Sequence, residues 1–234
     1  MKVFRDVLML ISAKNICRHF DIGNNQPLSV LQDVTLEIGE GQVVAIVGPS
    51  GAGKSTLLHI LGFLDRPSSG ELLFEGKNVF SQKDEEIAKV RNKNIGFIFQ
   101  FHHLLPEFTA FENIIMPSLI AGESIKNASK RGNELLFDVG LTHRADHKPN
   151  ELSGGEQQRI AVARALMNAP KLILADEPSG NLDSQNAKNL HAMVMQLREK
   201  YNQTFVIVTH NEDFASMADK TIKMNDGKIT SSLI

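Results

Sequence analysis

The sequence contains no tryptophan, a single cysteine, no excess of either charge and no long hydrophobic run. Each shortage removes a class of answer. Cys17 alone cannot close an internal disulfide or build a thiolate metal cluster, which predicts a reducing compartment. There are 25 Lys and Arg against 27 Asp and Glu, a formal charge of −2, so no basic excess exists to neutralise nucleic-acid phosphates. The longest uninterrupted apolar runs, such as Val7–Ile11 and Val43–Val47, are five residues, against the roughly 20 a helix needs to cross a bilayer. The charged fraction of 22% is ordinary and excludes global disorder. These absences predict a soluble, near-neutral, cytoplasmic globular protein whose 234 residues make one large domain or two small ones. Lys2 and Arg5 lie near the start, but Asp6 and a short apolar stretch argue against a signal peptide. Met9, where the first strand-like pattern begins, is read as an alternative start to Met1.

Strand-like runs occupy Leu10–Ile16, Val34–Ile38, Gln42–Val47, Glu71–Phe74, Ile95–Phe99, Lys171–Ala175 and Thr204–Val208. Val43–Val47, Leu172–Ala175 and Phe205–Val208 are apolar without alternation, as expected of strands buried on both faces of a parallel sheet. Helical patterns alternate with them; Leu190, Met193, Val194 and Leu197 fall at i, i+3, i+4 and i+7 on one apolar stripe. From Phe101 to about Asn150 the pattern turns helical, with Pro106, Pro117 and Pro149 as punctuation and Gly122 and Gly140 as stops. That stretch reads as a helical insert in an α/β core.

Gly48-Pro49-Ser50-Gly51-Ala52-Gly53-Lys54-Ser55 matches G-x-x-x-x-G-K-[ST], between a buried strand and a helical run over Ser55–Leu61. Glycines let successive backbone N–H groups wrap an anion, and the helix start adds the positive end of its dipole. Lys54 would reach the β- and γ-phosphates, Ser55 would coordinate Mg²⁺, and Thr56 adds a hydroxyl near the α-phosphate. A strand ending in Asp176 and Glu177 places carboxylates where open α/β sheets bind ligands. Asp176 would hold Mg²⁺. Glu177, pointing to the opposite face by strand alternation, would take a proton from the attacking water. His210 and Gln100 end two further strands: the imidazole could orient the water at a γ-phosphate, the amide could bind Mg²⁺ or a water.

Leu152-Ser153-Gly154-Gly155-Glu156-Gln157 contains an S-x-x-E capping box, which announces a helix start. Its two glycines are poor helix formers and make sense if the backbone must approach something closely. Bare N–H groups and a serine hydroxyl there form a second anion site. Two phosphate-binding helix starts then lie about a hundred residues apart. If both cannot reach one nucleotide within one molecule, a head-to-tail dimer follows, with ATP between opposite elements.

Taken together, these motifs resemble the nucleotide-binding subunits of ATP-binding-cassette (ABC) transporters, from about Leu10 to the C-terminus. The resemblance makes Gly48–Ser55 the Walker A, Gln100 the Q-loop glutamine and Leu152–Gln157 the signature. Leu172–Asp176 becomes the Walker B with catalytic Glu177, Gly180-Asn181-Leu182-Asp183 the D-loop, and His210 the switch histidine. Phe20, in Arg18-His19-Phe20, corresponds to the aromatic that stacks on adenine, with Phe in place of the commoner Tyr. The implied fold is an α/β P-loop NTPase: a mainly parallel sheet core, an antiparallel β subdomain and a helical subdomain. It implies one ATPase domain over 9–234, with a RecA-like core at 9–100 and 168–234, a helical subdomain at 101–167 and an N-terminal extension at 1–8.

The implied activity is ATP hydrolysis with Mg²⁺. Lys54 stabilises the transferring phosphoryl, Ser55, Gln100 and Asp176 serve the metal, and Glu177 and His210 position and activate water. Ser153 and Gly155, within the signature Ser153–Gln157, complete the site of a second copy in trans. The segment Phe99–Ala110 with Leu174–Asp183 looks most like ATPases of lipoprotein-releasing systems. Efflux ATPases for macrolides or peptides and a non-transporting cell-division ATPase share much of the pattern. The resemblance implies a homodimer with two integral membrane permease subunits, at the cytoplasmic face of the inner membrane, with no nucleic acid and no direct contact with the transported substrate. His102 and His103 lack a third ligand at a convincing spacing for a metal and read as core plus docking surface.

Overall fold

The computed structural model describes residues 9–21 and 27–233. The choice between Met1 and Met9 as start concerns residues 1–8, which lie outside the described residues. In chain order the elements are β1 Met9–Asp21, β2 Pro27–Gly39, β3 Val43–Val47, α1 Lys54–Leu61, β4 Ser69–Phe74, β5 Lys77–Asn78, α2 Asp84–Asn94, β6 Ile95–Phe99, α3 Ala110–Ile120, α4 Ile125–Asp138, α5 Gly154–Leu166, β7 Leu172–Asp176, α6 Ser184–Tyr201, β8 Thr204–Val208, α7 Glu212–Ser216, β9 Lys220–Asn225 and β10 Lys228–Leu233. The chain forms two compact units, one of residues up to Ala88 with Gln203 onward, the other Lys89–Asn202.

The first unit holds two sheets. One is antiparallel in the order β2-β1-β4-β5. Strict alternation in β2 buries Val34, Leu36 and Ile38 and exposes Thr35 and Glu37, the signature of a strand with one wet face. In the other, β3 pairs in parallel with β8 (Ile46 opposite Val208) and with β9 (Ile46 opposite Ile222). β10 closes this sheet antiparallel to β9. The sequence reading missed this last hairpin. Its turn, Asn225-Asp226-Gly227-Lys228, has φ of 47° at Asp226 and 76° at Gly227, the Asp-Gly chemistry of a tight hairpin. Lysines and threonines dilute its apolar pattern, so that only Ile222 and Met224 of β9 are buried.

In the second unit β6 and β7 pair in parallel, with Phe99 opposite Asp176. Helices α3, α4 and α5 fill the stretch expected to be helical, and Gly122 (φ 89°) and Gly140 (φ 70°) follow α3 and α4 as stops. Pro117 departs from expectation: it lies inside α3. The ring removes the N–H that would bond to the Asn113 carbonyl, and the Pro117 carbonyl collects the side-chain amides of Asn92 (3.2 Å) and Asn168 (3.1 Å). The α6 stripe of Leu190, Met193, Val194 and Leu197 is buried as expected. With parallel pairs, an antiparallel sheet and a helical stretch, the fold is α/β as anticipated.

Candidate functional site

In the first unit, β3 delivers the chain into the loop that begins at Gly48. Three left-handed backbone positions shape this loop: Gly48 (φ 154°), Gly51 (φ 79°) and Gly53 (φ 90°). A Cβ at Gly48 would sit 2.1 Å from the Met224 carbonyl oxygen, and one at Gly53 would sit 2.7 Å from that of Val30. Gly53 is also the N-cap of α1 and supplies no side-chain cap, so the first-turn amides of Lys54, Ser55 and Thr56 point out of the helix with the positive end of its dipole. The Lys54 ammonium donates to the carbonyls of Gly48 and Pro49, 2.8 Å each, lying across the loop whose backbone it would share with an anion.

The loop is braced from behind by the hairpin turn that sequence reading missed. Gln32 N–H donates to the Gly227 carbonyl (2.9 Å), and Gly227 N–H donates to that of Ala52 (3.2 Å). A Cβ on Gly227 would meet the Val30 carbonyl at 2.5 Å. The Asp-Gly dipeptide was the available signal. Thr209 N–H donates to the Ile46 carbonyl at 3.1 Å, so exposed His210, just past β8, lies at the same sheet end as the loop. Phe20 pairs with Leu28 across β1 and β2 and is 37% exposed. The Arg18 guanidinium lies 4.5 Å above its ring centroid.

The second unit brings the acidic strand end and the amide together. Phe99 and Asp176 are in register, so Gln100 follows β6 beside the half-buried carboxylate. Gln100 Nε2 donates to Asn181 Oδ1 (3.0 Å) and Asn181 Nδ2 returns a bond to the Gln100 carbonyl (3.2 Å). A Cβ on Gly180 would sit 2.9 Å from that Nε2, so a side chain there would press on the Gln100–Asn181 pair. Glu177 does not follow strand alternation as expected. β7 ends at Asp176, Glu177 adopts a left-handed φ of 47°, and its carbonyl accepts Gly180 N–H at 2.9 Å. A tight turn, not the pleat, directs its carboxylate.

The capping box at α5 forms: Glu156 N–H donates to Ser153 Oγ (3.3 Å), while Ser153 N–H (2.8 Å) and Oγ–H (2.9 Å) donate to Glu156 Oε2. Arg144 Nε donates to Glu156 Oε1 at 3.0 Å. The Ser153 backbone N–H first, then its hydroxyl and Arg144, hold the Glu156 carboxyl below the usual range. The two glycines part company here. A Cβ on Gly155 would lie 2.9 Å from Asn186 Oδ1 of α6, whereas one on Gly154 would meet only Leu182, at 3.9 Å. Within this chain, the close approach at Gly155 is to its own α6. Gln157 Nε2 is spent on the carbonyls of Pro149 (3.0 Å) and Leu152 (3.1 Å).

Asp183 caps α6 with bonds from Gln185 N–H (3.0 Å) and Asn186 N–H (2.9 Å), and accepts from Asn186 Nδ2 at 2.6 Å. The Asn186 backbone N–H and side-chain amide hold its carboxyl below the usual range. Gln158, absent from the candidate residues, is fully buried and donates to the Phe99 carbonyl at 3.3 Å. It ties the helix that starts at Ser153 to the strand that presents Gln100. Its signal was a polar residue on the apolar stripe of Ala161, Val162 and Ala165.

The family of ABC transporters matches residues 31–180. The lipoprotein-releasing system ATP-binding protein LolD of Bacteroides thetaiotaomicron is 57% identical over 202 residues, covering 86% of this chain and 93% of that protein. The LolD of Porphyromonas gingivalis is 53% identical over 223 residues, covering 95% and 100%. Among solved structures, the dimeric structure of a bacterial ABC transporter cassette aligns with a TM-score of 0.88 at 39% identity, covering 95% of this chain and 97% of that one. A dimeric ATP-binding cassette in a post-hydrolysis state, bound to ADP and Pi, aligns with the same TM-score at 38% identity and the same coverage. With relatives more than half identical over most of both chains, and the phosphate loop and acidic strand end built as described, the chain belongs to the ABC transporter family as an ATP-hydrolysing, ATP-binding subunit.

Proposed function

We propose that this chain is the ATPase of a lipoprotein-releasing ABC system, driving lipoproteins from the inner membrane toward the outer membrane. One observation carries the reading: identity of 53–57% to two LolD proteins over 86–95% of the chain. The working unit is a homodimer in which each ATP is held by the Walker A of one copy and the signature of the other. Both solved cassettes cited above are dimers. Two integral membrane subunits complete the complex. In this reading the chain is a peripheral subunit on the cytoplasmic face; no described helix is long and apolar enough to cross a membrane.

In this reading the amides of the Gly48–Thr56 loop and the Lys54 ammonium stabilise charge on the γ-phosphoryl. Glu177 accepts the proton as the water oxygen bonds to the γ-phosphorus and the bond to the β–γ bridging oxygen breaks, releasing ADP and phosphate. His210 orients that water, and Ser153 and Gly155 of the second copy close the site. Phe20 stacks on adenine, and Asp183 of the D-loop holds the start of α6. Ser55, Asp176 and Gln100 offer a hydroxyl, a carboxylate and an amide oxygen. Gln100 suits the role because its nitrogen is committed to Asn181, leaving the oxygen as its remaining group. Such hard oxygen donors fit Mg²⁺, which when bound neutralises β- and γ-phosphate charge. Co-purification from detergent extracts tests the assignment: membrane subunits that bind lipoproteins are expected with this chain. Recovery of a cell-division protein, or of no membrane protein, would overturn it.

A further inference from the structure

We infer that Arg18 is a positioning residue for the nucleotide base, acting through Phe20; the inference rests on the proposed stacking of adenine on that ring. A phenyl ring has two faces, and the guanidinium of Arg18, 4.5 Å from the centroid, occupies one of them. A base can then stack only on the other. Arg18 is itself held from outside the strand: its Nη2 lies 2.9 Å from Asp65 Oδ1. Its Nε is buried with no hydrogen-bond partner among the described residues. Leaving such a donor unpaired costs free energy, so the guanidinium sits where it meets Asp65 and the ring rather than where all its donors are satisfied.

Asp65 comes just after α1, the helix that the phosphate loop opens. The same segment is stitched along β1, with Ser68 N–H donating to the Cys17 carbonyl at 2.8 Å and His19 N–H to Ser68 Oγ at 3.0 Å. β2 supplies a second link. Phe20 faces Leu28, two residues from Val30, whose carbonyl lies against Gly53 of the phosphate loop. That is about 7 Å of strand plus one strand spacing of about 5 Å, a separation suited to a base and its phosphates. Arg18 thus fixes the ring relative to the loop that binds the other end of the same nucleotide. An exposed aromatic otherwise loses rotamer freedom when a base binds; a ring already pinned by a cation loses less.

Titrations with ATP and with inorganic triphosphate, which has no base, test this. Arg18→Met is expected to weaken ATP binding about three- to five-fold, the range for an exposed cation–π contact, and to leave triphosphate binding unchanged. In a Phe20→Ala background the same substitution should have no further effect, and Arg18→Lys should restore part of the loss. Equal weakening of ATP and triphosphate, or an Arg18→Met effect that persists without the ring, would overturn the inference while leaving stacking intact. If Phe20→Ala alone leaves ATP affinity unchanged, the stacking reading fails and the inference with it. Asp65→Asn, which releases the guanidinium without deleting it, provides the same comparison should Arg18→Met not fold, and is expected to shift ATP binding in the same direction.

Discussion

At the scale of single residues, Gly155 shows how tertiary contact reverses a local rule. Alanine in place of glycine inside a helix stabilises by up to about 1 kcal/mol through backbone entropy. Here the new methyl would meet Asn186 Oδ1 at 2.9 Å, and Asn186 cannot swing away without losing its 2.6 Å bond to Asp183. Gly155→Ala is therefore expected to lower stability by about 1 kcal/mol, with crowding outweighing propensity. Adding Asn186→Ala should recover the propensity gain, although that change also removes a bond to the α6 cap. Urea midpoints of Gly155→Ala, Asn186→Ala and the double variant decide it, and a stabilised Gly155→Ala would contradict the geometry. At such positions the residue type was legible in the sequence but its cause was not, because the neighbour lies about thirty residues away.

At the scale of elements, helix starts carry much of the chemistry. α1 begins at a glycine with no side chain to cap it, which leaves its amides for an anion. α5 begins with a full capping box, whose carboxylate is also bound by Arg144. Because the folded Glu156 carboxyl lies below its ordinary value, its contribution to stability is present above about pH 4.3, the unfolded value. It is lost as pH falls through the lower folded value. Wild type should therefore lose more stability than Glu156→Gln on acidification below about pH 4. Arg144→Met should narrow that difference by removing one partner of the carboxylate. Equal acid profiles for wild type and Glu156→Gln would refute the assignment. Both helix starts were legible from short motifs. The β9–β10 hairpin and the place of Pro117 inside α3 were not, since burial of Ile222 and Met224 decides the first and burial of Ile114, Ile115 and Ser118 around the proline the second.

At the scale of the whole molecule, the proposed reaction needs a second copy. Glu177→Gln keeps the shape and the neighbouring acceptor atoms of the side chain but removes the proton acceptor. It is expected to bind ATP normally while turnover falls about 10²- to 10⁴-fold, the range for loss of a general base. At millimolar ATP the variant should elute as a dimer in size-exclusion chromatography and return to monomer with ADP, because only the intact γ-phosphate favours the closed pair. A variant that stays monomeric with ATP would count against the sandwich. One that turns over at the wild-type rate would remove Glu177 from the base role.

The sequence by itself determined the chemistry that contiguous residues carry: a glycine-rich anion loop, acids at a strand end, a capped second helix start, and no segment able to cross a membrane as a helix. These follow from residue types at fixed short spacings, where backbone geometry leaves few alternatives. Only the tertiary structure decided which distant groups meet. Gly227 braces the phosphate loop, Gln158 holds the strand before Gln100, and Asn186 crowds position 155. Each is a contact across a long chain separation, and such contacts leave no periodic trace because only close packing brings the partners together.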